Sequence, residues 1–493
     1  MNAEILTERA AIEAVPVANL IIRGKIYSDH LIEVGGRGGD ITFLTPDVRH
    51  YIDQLPLGNP VKLADLYTLK FQDILDYLEE VGRKLDIRTN PHLQQARNLS
   101  YFTAPTTKPI VDMFYETLHQ YFNPGMLREV VEKQVGIDYL EGWVETKLGD
   151  GRTIGIRCFG SRCLHIVAGN APAISAQTII RNALMRCDAI IKAPSNDPFT
   201  ALAIVQTMCE MAPDHPITKH ISVGYWKGGD KAVEEKLYQP HNIEKITAWG
   251  GYASVKHVSQ YIQPGIELIS LDPKRSASIV GQEAFESEDM MRTAAQRIAS
   301  DVGTLNQAAC VNARVIYVQS GTDEAGLENL KKLGRYTYEA MMGLPERVST
   351  KPKRYDRDLK AHLDTVRLDD DWFHVVGGEE GEGAIIVSLL PEPVDFETKL
   401  NDRTANLVPV DKIEDILKGI NSYTQTVGIF PESLKQKFLD ILPLYGAQRF
   451  VSLGYATSYT LALPQDGIEP MRRLGKWITN EICSPETVAP PWK

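Results

Sequence analysis

Cysteine is scarce and scattered in this chain. Cys158, Cys163, Cys187, Cys209, Cys310 and Cys483 form no CxxC pair and no zinc-finger spacing, so neither a disulfide framework nor a structural metal site is expected. No stretch reaches the roughly eighteen uninterrupted apolar residues of a membrane-spanning helix. The opening residues, MNAEILTERAAIEAV, place acids early and lack the basic-then-apolar order of a secretory signal. Together with the cysteine usage, this points to the cytoplasm. Positive charge is not in excess either: 53 Lys and Arg face 64 Asp and Glu, a net charge of −11. That argues against nucleic acid as the main partner and leaves an anionic small substrate open, because a basic patch can sit on an acidic protein. Internal repeats and low-complexity tracts are missing, and so is a GxSxG elbow, which weakens a serine-hydrolase reading.

What is present is globular. The chain has 493 residues, 43% of them hydrophobic and 24% charged, too many for one ordinary core and enough for two or three domains. Residues 1–160 read as a mixed, partly irregular region with helical candidates at 61–85 and 124–135. A hairpin follows, Trp143-Val144-Glu145-Thr146 and Thr153-Ile154-Gly155-Ile156 across the turn Gly149-Asp150-Gly151. From residue 163 short apolar strands alternate with helices: strands at 163–168, 189–192, 221–224 and 243–249, helices between them and at 253–261. That alternation predicts a parallel, doubly wound sheet, whose ligands bind at the carboxyl ends of the strands. Asn170, Lys192 and Gly250 fall there. A second α/β unit begins near 276, with a helix over 287–301, a loop over 303–309, then Cys310 and a strand over 314–318. The polar, mixed-charge stretch 349–383 reads as solvated insertions.

A buried cysteine before a strand is, by itself, usually a small hydrophobe. The surroundings of Cys310 are more specific. Asn306-Gln307-x-x-Cys310, with Arg314 four residues on, resembles the nucleophile loop of the aldehyde dehydrogenase superfamily. Three further segments fall in that family's order. Gly169-Asn170-Ala171-Pro172 resembles its oxyanion segment, Lys192-Ala193-Pro194-Ser195 its cofactor segment, and the turn 247–251 its phosphate-side turn. Within the superfamily the chain is most similar to the LuxC family of long-chain acyl-CoA reductases, known from bacterial bioluminescence. The residues that carry this are 168–172, Trp249-Gly250-Gly251, 306–310, Asn401-Asp402-Arg403-Thr404-Ala405-Asn406 with Leu407-Val408-Pro409-Val410, and the early run 33–40 (EVGGRGGD), to which no phosphate role is assigned.

The resemblance implies an α/β, aldehyde-dehydrogenase-like fold: an N-terminal region over 1–138 partly in the cofactor domain, an oligomerisation hairpin at 139–160, a doubly wound dinucleotide-binding domain at 161–275, a catalytic domain at 276–460 and a C-terminal segment at 461–493. It implies reduction of an acyl-CoA, with a long fatty chain, to the aldehyde through a thioacyl-Cys310 intermediate, Asn170 holding the oxyanion and CoA leaving. Ala168, Gly169, Lys192, Ser195, Trp249, Gly250 and Gly251 would bind the cofactor. Ser195 stands where NAD-preferring relatives carry an acid, so NADPH is favoured, with NADH as the alternative. The family's general-base Glu would align near Ser270 or Leu271, with Glu267 out of register, as suits an enzyme that passes its acyl group between thiols. A second ribose contact would align with Asp402 or Arg403. The implied partners are acyl-CoA or an acylated partner protein of the acyl-protein synthetase type, and further copies of the chain in a homodimer or homotetramer paired through the hairpin and a strand at 449–453. A short-chain or aromatic acyl-CoA reductase and an aldehyde oxidiser using Glu267 are the alternatives.

Overall fold

The computed structural model describes residues 15–36, 41–271 and 273–492. Tertiary contacts divide the chain into two compact units, one drawn from Met1–Ala104, Phe114–Asp272 and Leu461–Lys493, the other from Pro105–Met113 and Pro273–Thr460.

The first unit is built on a seven-stranded sheet in the order Glu267–Leu271, Lys245–Trp249, Arg162–Ile166, Asp188–Lys192, Ile221–Gly224, Leu20–Ile22, Lys25–Tyr27. The first five strands are parallel, and the last two run antiparallel as an early hairpin added to the edge. Both helices that follow the central strands, Pro172–Leu184 and Thr200–Met211, are buried around most of their circumference, as expected for helices that lie on a sheet beneath further cover. The chain leaves Arg162–Ile166 toward Asp188–Lys192 on one side and later returns to place Lys245–Trp249 on the other. The crevice of a doubly wound sheet opens where strand order reverses in this way. The loops after residues 166 and 249 flank it.

Two helices, Pro91–Thr103 and Lys108–Thr117, lie where the sequence reads as irregular. The first had a legible signal: Asn90 caps it through its side chain, 2.9 Å from the Leu93 amide, with Pro91 at the first helical position. The expected hairpin is present as Val144–Lys147 and Thr153–Phe159, closed by Gly151 at φ +87°. It carries a third, unforeseen strand, Lys476–Ile482, from the C-terminal segment.

The second unit has its own seven-stranded sheet, ordered Phe373–Gly377, Ala384–Ser388, Thr404–Pro409, Ala313–Val318, Arg275–Val280, Thr424–Phe430, Arg449–Ser452, and parallel except for the first strand. Here the reading of 349–383 as solvated insertion is corrected. The helix Arg357–Val366 buries Leu359 and Leu363, four residues apart on one face, and Phe373–Gly377 pairs with Ala384–Ser388. Dense surface charge masks that short apolar stripe. Among the described residues no helix is long and apolar enough to cross a membrane.

Replacing Leu363→Ala removes a fully buried side chain from this core and is expected to cost about 2–5 kcal/mol, lowering the urea midpoint. Asp370→Ala, on the exposed run beside it, should leave that midpoint in place.

Candidate active site

The candidate residues divide between the units. In the second unit the chain leaves the helix Glu288–Gly303 and turns through Leu305, Asn306 and Gln307, all three with positive φ (59°, 53° and 63°). A non-glycine residue in this left-handed region costs on the order of 1–2 kcal/mol, so a run of them persists only where the surroundings dictate it. Side-chain amides do so. Asn306 accepts from the Thr350 N–H (2.8 Å), and the Leu305 N–H donates to the Val348 carbonyl (2.6 Å). Gln307 donates to the carbonyls of Ala313 (2.8 Å) and Thr404 (3.0 Å) and accepts from the Thr404 N–H (2.9 Å). Asn312 donates to the carbonyls of Asp301 and Thr304 and accepts from the Ala309 N–H. Asn306, Gln307 and Asn312 are all buried.

Cys310 rides on this clamped loop, its carbonyl accepting from Ser276 Oγ at 2.8 Å. Its surroundings set it apart from the other cysteines. Cys158, Cys163, Cys187 and Cys209 are buried and Cys483 is exposed, whereas Cys310 is half-buried. Burial pushes the thiol of Cys158 up to about 12 and that of Cys209 up to about 11, which keeps both protonated and inert.

In the first unit Lys192 and Ser195 line a cleft of about 460 Å³ together with Tyr225, Lys227 and Gly228. Lys192 Nζ lies 6.0 Å from the Tyr225 ring and 5.8 Å from the Trp226 ring. Burial lowers its pKa to about 8, partly offset by the charge of Glu234. Glu234 is buried and accepts from the Gly229 N–H (3.0 Å) and the Tyr261 hydroxyl (3.1 Å) while meeting His257 Nε2 at 2.6 Å. It thus braces the turn that carries Lys227 and Gly228. Sequence reasoning missed it, although an acid between Val233 and Leu237 on the inner face of a helix was a usable sign.

The early glycine run was read without a ligand role. Glu33, Val34, Gly35 and Gly36 in fact line this same cleft, while Arg37, Gly38, Gly39 and Asp40 lie outside the described residues. Gly169 packs closely on Asn196: a Cβ there would come 2.3 Å from Asn196 Oδ1 and displace that side chain, whose Nδ2 donates to the Gly169 carbonyl at 3.0 Å. Asn196, noted only as a neutral neighbour of Ser195, ties the loop after 166 to the loop after 192. Asn170, half-buried, precedes Ala171, which is the N-cap of Pro172–Leu184 and makes no side-chain cap bond. Gly250 and Gly251 precede the helix Tyr252–Ser259. Trp249 does not line the cleft. Its ring packs under the Arg181 guanidinium (5.7 Å) beside His165 and Thr247.

Glu267 begins its strand, paired in register with Lys245, while Leu271 at the far end pairs with Trp249. At about 3.3 Å per residue, Glu267 sits roughly 13 Å from the carboxyl ends. Its carboxylate meets Lys245 Nζ at 2.7 Å and the Arg473 guanidinium, whose hydrogen bonds, working against its burial, hold it below the usual range. Asp402 accepts from the Asp356 N–H at 2.9 Å, and the buried Arg403 donates to the Met341 carbonyl at 2.7 Å.

A model of the family described as acyl-CoA reductase (LuxC) matches residues 66–477. The chain belongs to that family. It is an enzyme, an oxidoreductase. The LuxC-family chain is 28% identical to the long-chain acyl-protein thioester reductase of Photorhabdus laumondii subsp. laumondii, over 94% of this chain and 93% of that one. It is 24% identical to the protein of the same description from Vibrio harveyi, over 82% and 88%. Among solved structures, lactaldehyde dehydrogenase from Escherichia coli aligns with TM-score 0.71 and 13% identity over 95% of this chain and 100% of that one. The aldehyde-dehydrogenase-like α/β fold and the LuxC resemblance read from the sequence are thus borne out.

Glu267→Gln is expected to lower thermal stability by loosening a half-buried ion-pair cluster while turnover stays near that of the parent. A collapse of kcat with unchanged melting would instead put Glu267 at the reacting atoms.

Proposed function

We propose that this enzyme reduces a long-chain acyl thioester to the aldehyde with NADPH, carrying the acyl group on Cys310. The carrier is a protein thiol, as the descriptions of the curated relatives suggest, or CoA as its small-molecule counterpart. The observation that carries the reading is the clamped loop: of six cysteines, the half-exposed one stands on a strained turn fixed by buried amides. The absence of a carboxylate in the 268–271 stretch supports thiol exchange over hydrolysis, since no general base stands there to activate water.

Lys192, Ser195 and Lys227 would hold the adenosine end of the dinucleotide. The fit rests on the enclosed Lys192 ammonium, which among the described residues has no carboxylate within ion-pair reach, in a cleft of a size that binds small ligands. With a neutral Ser195 and two lysines against Glu33, the lining suits a 2′-phosphate. When bound, the reduced nicotinamide supplies the hydride that takes the thioacyl carbon to the aldehyde level.

The chain's own groups do the rest. The Cys310 thiolate adds to the thioester carbonyl, and the amide of Asn170 and the Cys310 N–H hold the oxyanion. Collapse expels the carrier thiolate, which takes a proton from water, and leaves the acyl group on Cys310. After reduction, the tetrahedral oxyanion on Cys310 collapses to aldehyde and returns the thiolate. Preorganised donors of this kind contribute about 3–4 kcal/mol.

NADPH oxidation with tetradecanoyl-CoA should release one CoA per NADPH consumed. Cys310→Ala should be inactive, and Asn170→Ala should lose about 10²–10³-fold in kcat. NADPH oxidation by Cys310→Ala at the parent rate would overturn the reading. A 2′-phosphate favours the charged form of Lys192, so affinity must fall as pH rises through about 8. KM for NADPH should be flat below that pH and climb above it. In Lys192→Met it should be higher throughout and lose the climb.

A further inference from the structure

Arg314 lies on the strand Ala313–Val318, four residues beyond Cys310. Its Nη1 donates to the Asn312 carbonyl at 2.9 Å, and among the described residues no carboxylate reaches it as an ion pair. Burial pushes its pKa down to about 10, with Arg275 adding like-charge repulsion, and the group that favours its charge is Cys310. A half-buried guanidinium whose hydrogen-bond partner is a neutral carbonyl favours an anion beside it.

Arg449, on the edge strand Arg449–Ser452, also acts on Cys310. Its Nη1 donates to the Ala456 carbonyl (2.6 Å) and lies 3.4 Å from Thr426 Oγ1, and its Nη2 donates to the Ser458 carbonyl (3.1 Å). The Thr426 N–H donates to Ser276 Oγ (3.1 Å), which in turn donates to the Cys310 carbonyl. The cysteine is therefore tied to the two central strands Arg275–Val280 and Thr424–Phe430, which are flanked on either side by Ala313–Val318 and Arg449–Ser452, the strands that carry the two cations. The other charged or titratable groups nearby are Asp301 and Tyr459, which face Arg449, and Arg275, which faces Arg314. The Asp301 carboxylate accepts from the Gly454 and Ala456 N–H groups, both at 2.9 Å.

We propose that Arg314 and Arg449 hold Cys310 as its thiolate, so that the sulfur is ionised before a thioester arrives. The proton passes from Sγ to water, and the guanidiniums supply the counter-charge. Both arginines act through the sulfur as positioning residues. The inference rests on the reading of Cys310 as the acyl acceptor.

The test is the pH dependence of Cys310 alkylation by iodoacetamide in the full-length protein, followed by peptide mass spectrometry. The parent midpoint should lie below the ordinary thiol value of about 8.5. Arg314→Gln and Arg449→Gln should each raise it by about one unit, a roughly tenfold slower reaction at pH 7, while the plateau rate at high pH stays near that of the parent. Arg314→Lys, which keeps the charge, should restore the low midpoint. It and Arg449→Gln carry the test if Arg314→Gln does not fold. A parent midpoint at or above 8.5, or variant midpoints equal to the parent's, would overturn the proposal. Failure of the underlying reading is separate: it would show as turnover retained in Cys310→Ala, whatever the alkylation profile.

Discussion

The candidate site in the second unit depends on holding three left-handed, non-glycine residues in succession ahead of Cys310. The chain could have spent glycine here, at the cost of a looser loop. Instead it uses Asn306, Gln307 and Asn312, each buried and each bonded to backbone from a different part of the unit. A net gain near 1 kcal/mol per hydrogen bond is enough to offset the backbone cost. The result is a loop whose backbone is held in one geometry around the half-buried Cys310 thiol.

The same network explains why distant stretches of sequence bear on the Cys310 loop. The run 401–410 matters through Thr404, whose N–H and carbonyl both engage the Gln307 side chain. Val348, just before the stretch 349–383 that reads as solvated insertion, and Thr350 within it hold Leu305 and Asn306. In the first unit the equivalent constraint is the contact of Gly169 with Asn196, where an added Cβ would displace the Asn196 side chain that ties two loops at the carboxyl ends of neighbouring strands.

Much of this was legible in the sequence. Short apolar strands alternating with helices specify a parallel sheet because each strand must be covered on both faces, and the strand Ile221–Gly224 and the helix Lys231–Leu237 stand where that rhythm puts them. Less legible was whatever depends on tertiary pairing. The strand Lys476–Ile482 is largely exposed and exists through its partner Thr153–Phe159. The helix Arg357–Val366 shows two buried leucines amid charge. Glu234, on a helix with no motif of its own, braces the turn beside the Lys192 cleft, and Glu33 lines that cleft from a glycine run that showed no ligand role in sequence. Trp249 stands at the strand end where its position in sequence put it, and the packing of Arg181 shows which way the ring turns.

The proposed reaction depends on acyl transfer to one sulfur. Intact-protein and peptide mass spectrometry after incubation with a long-chain acyl-CoA, with no reductant present, tests it directly. The prediction is a single acyl mass increment on the peptide containing Cys310. An unmodified protein, or an increment on any other residue, would contradict it.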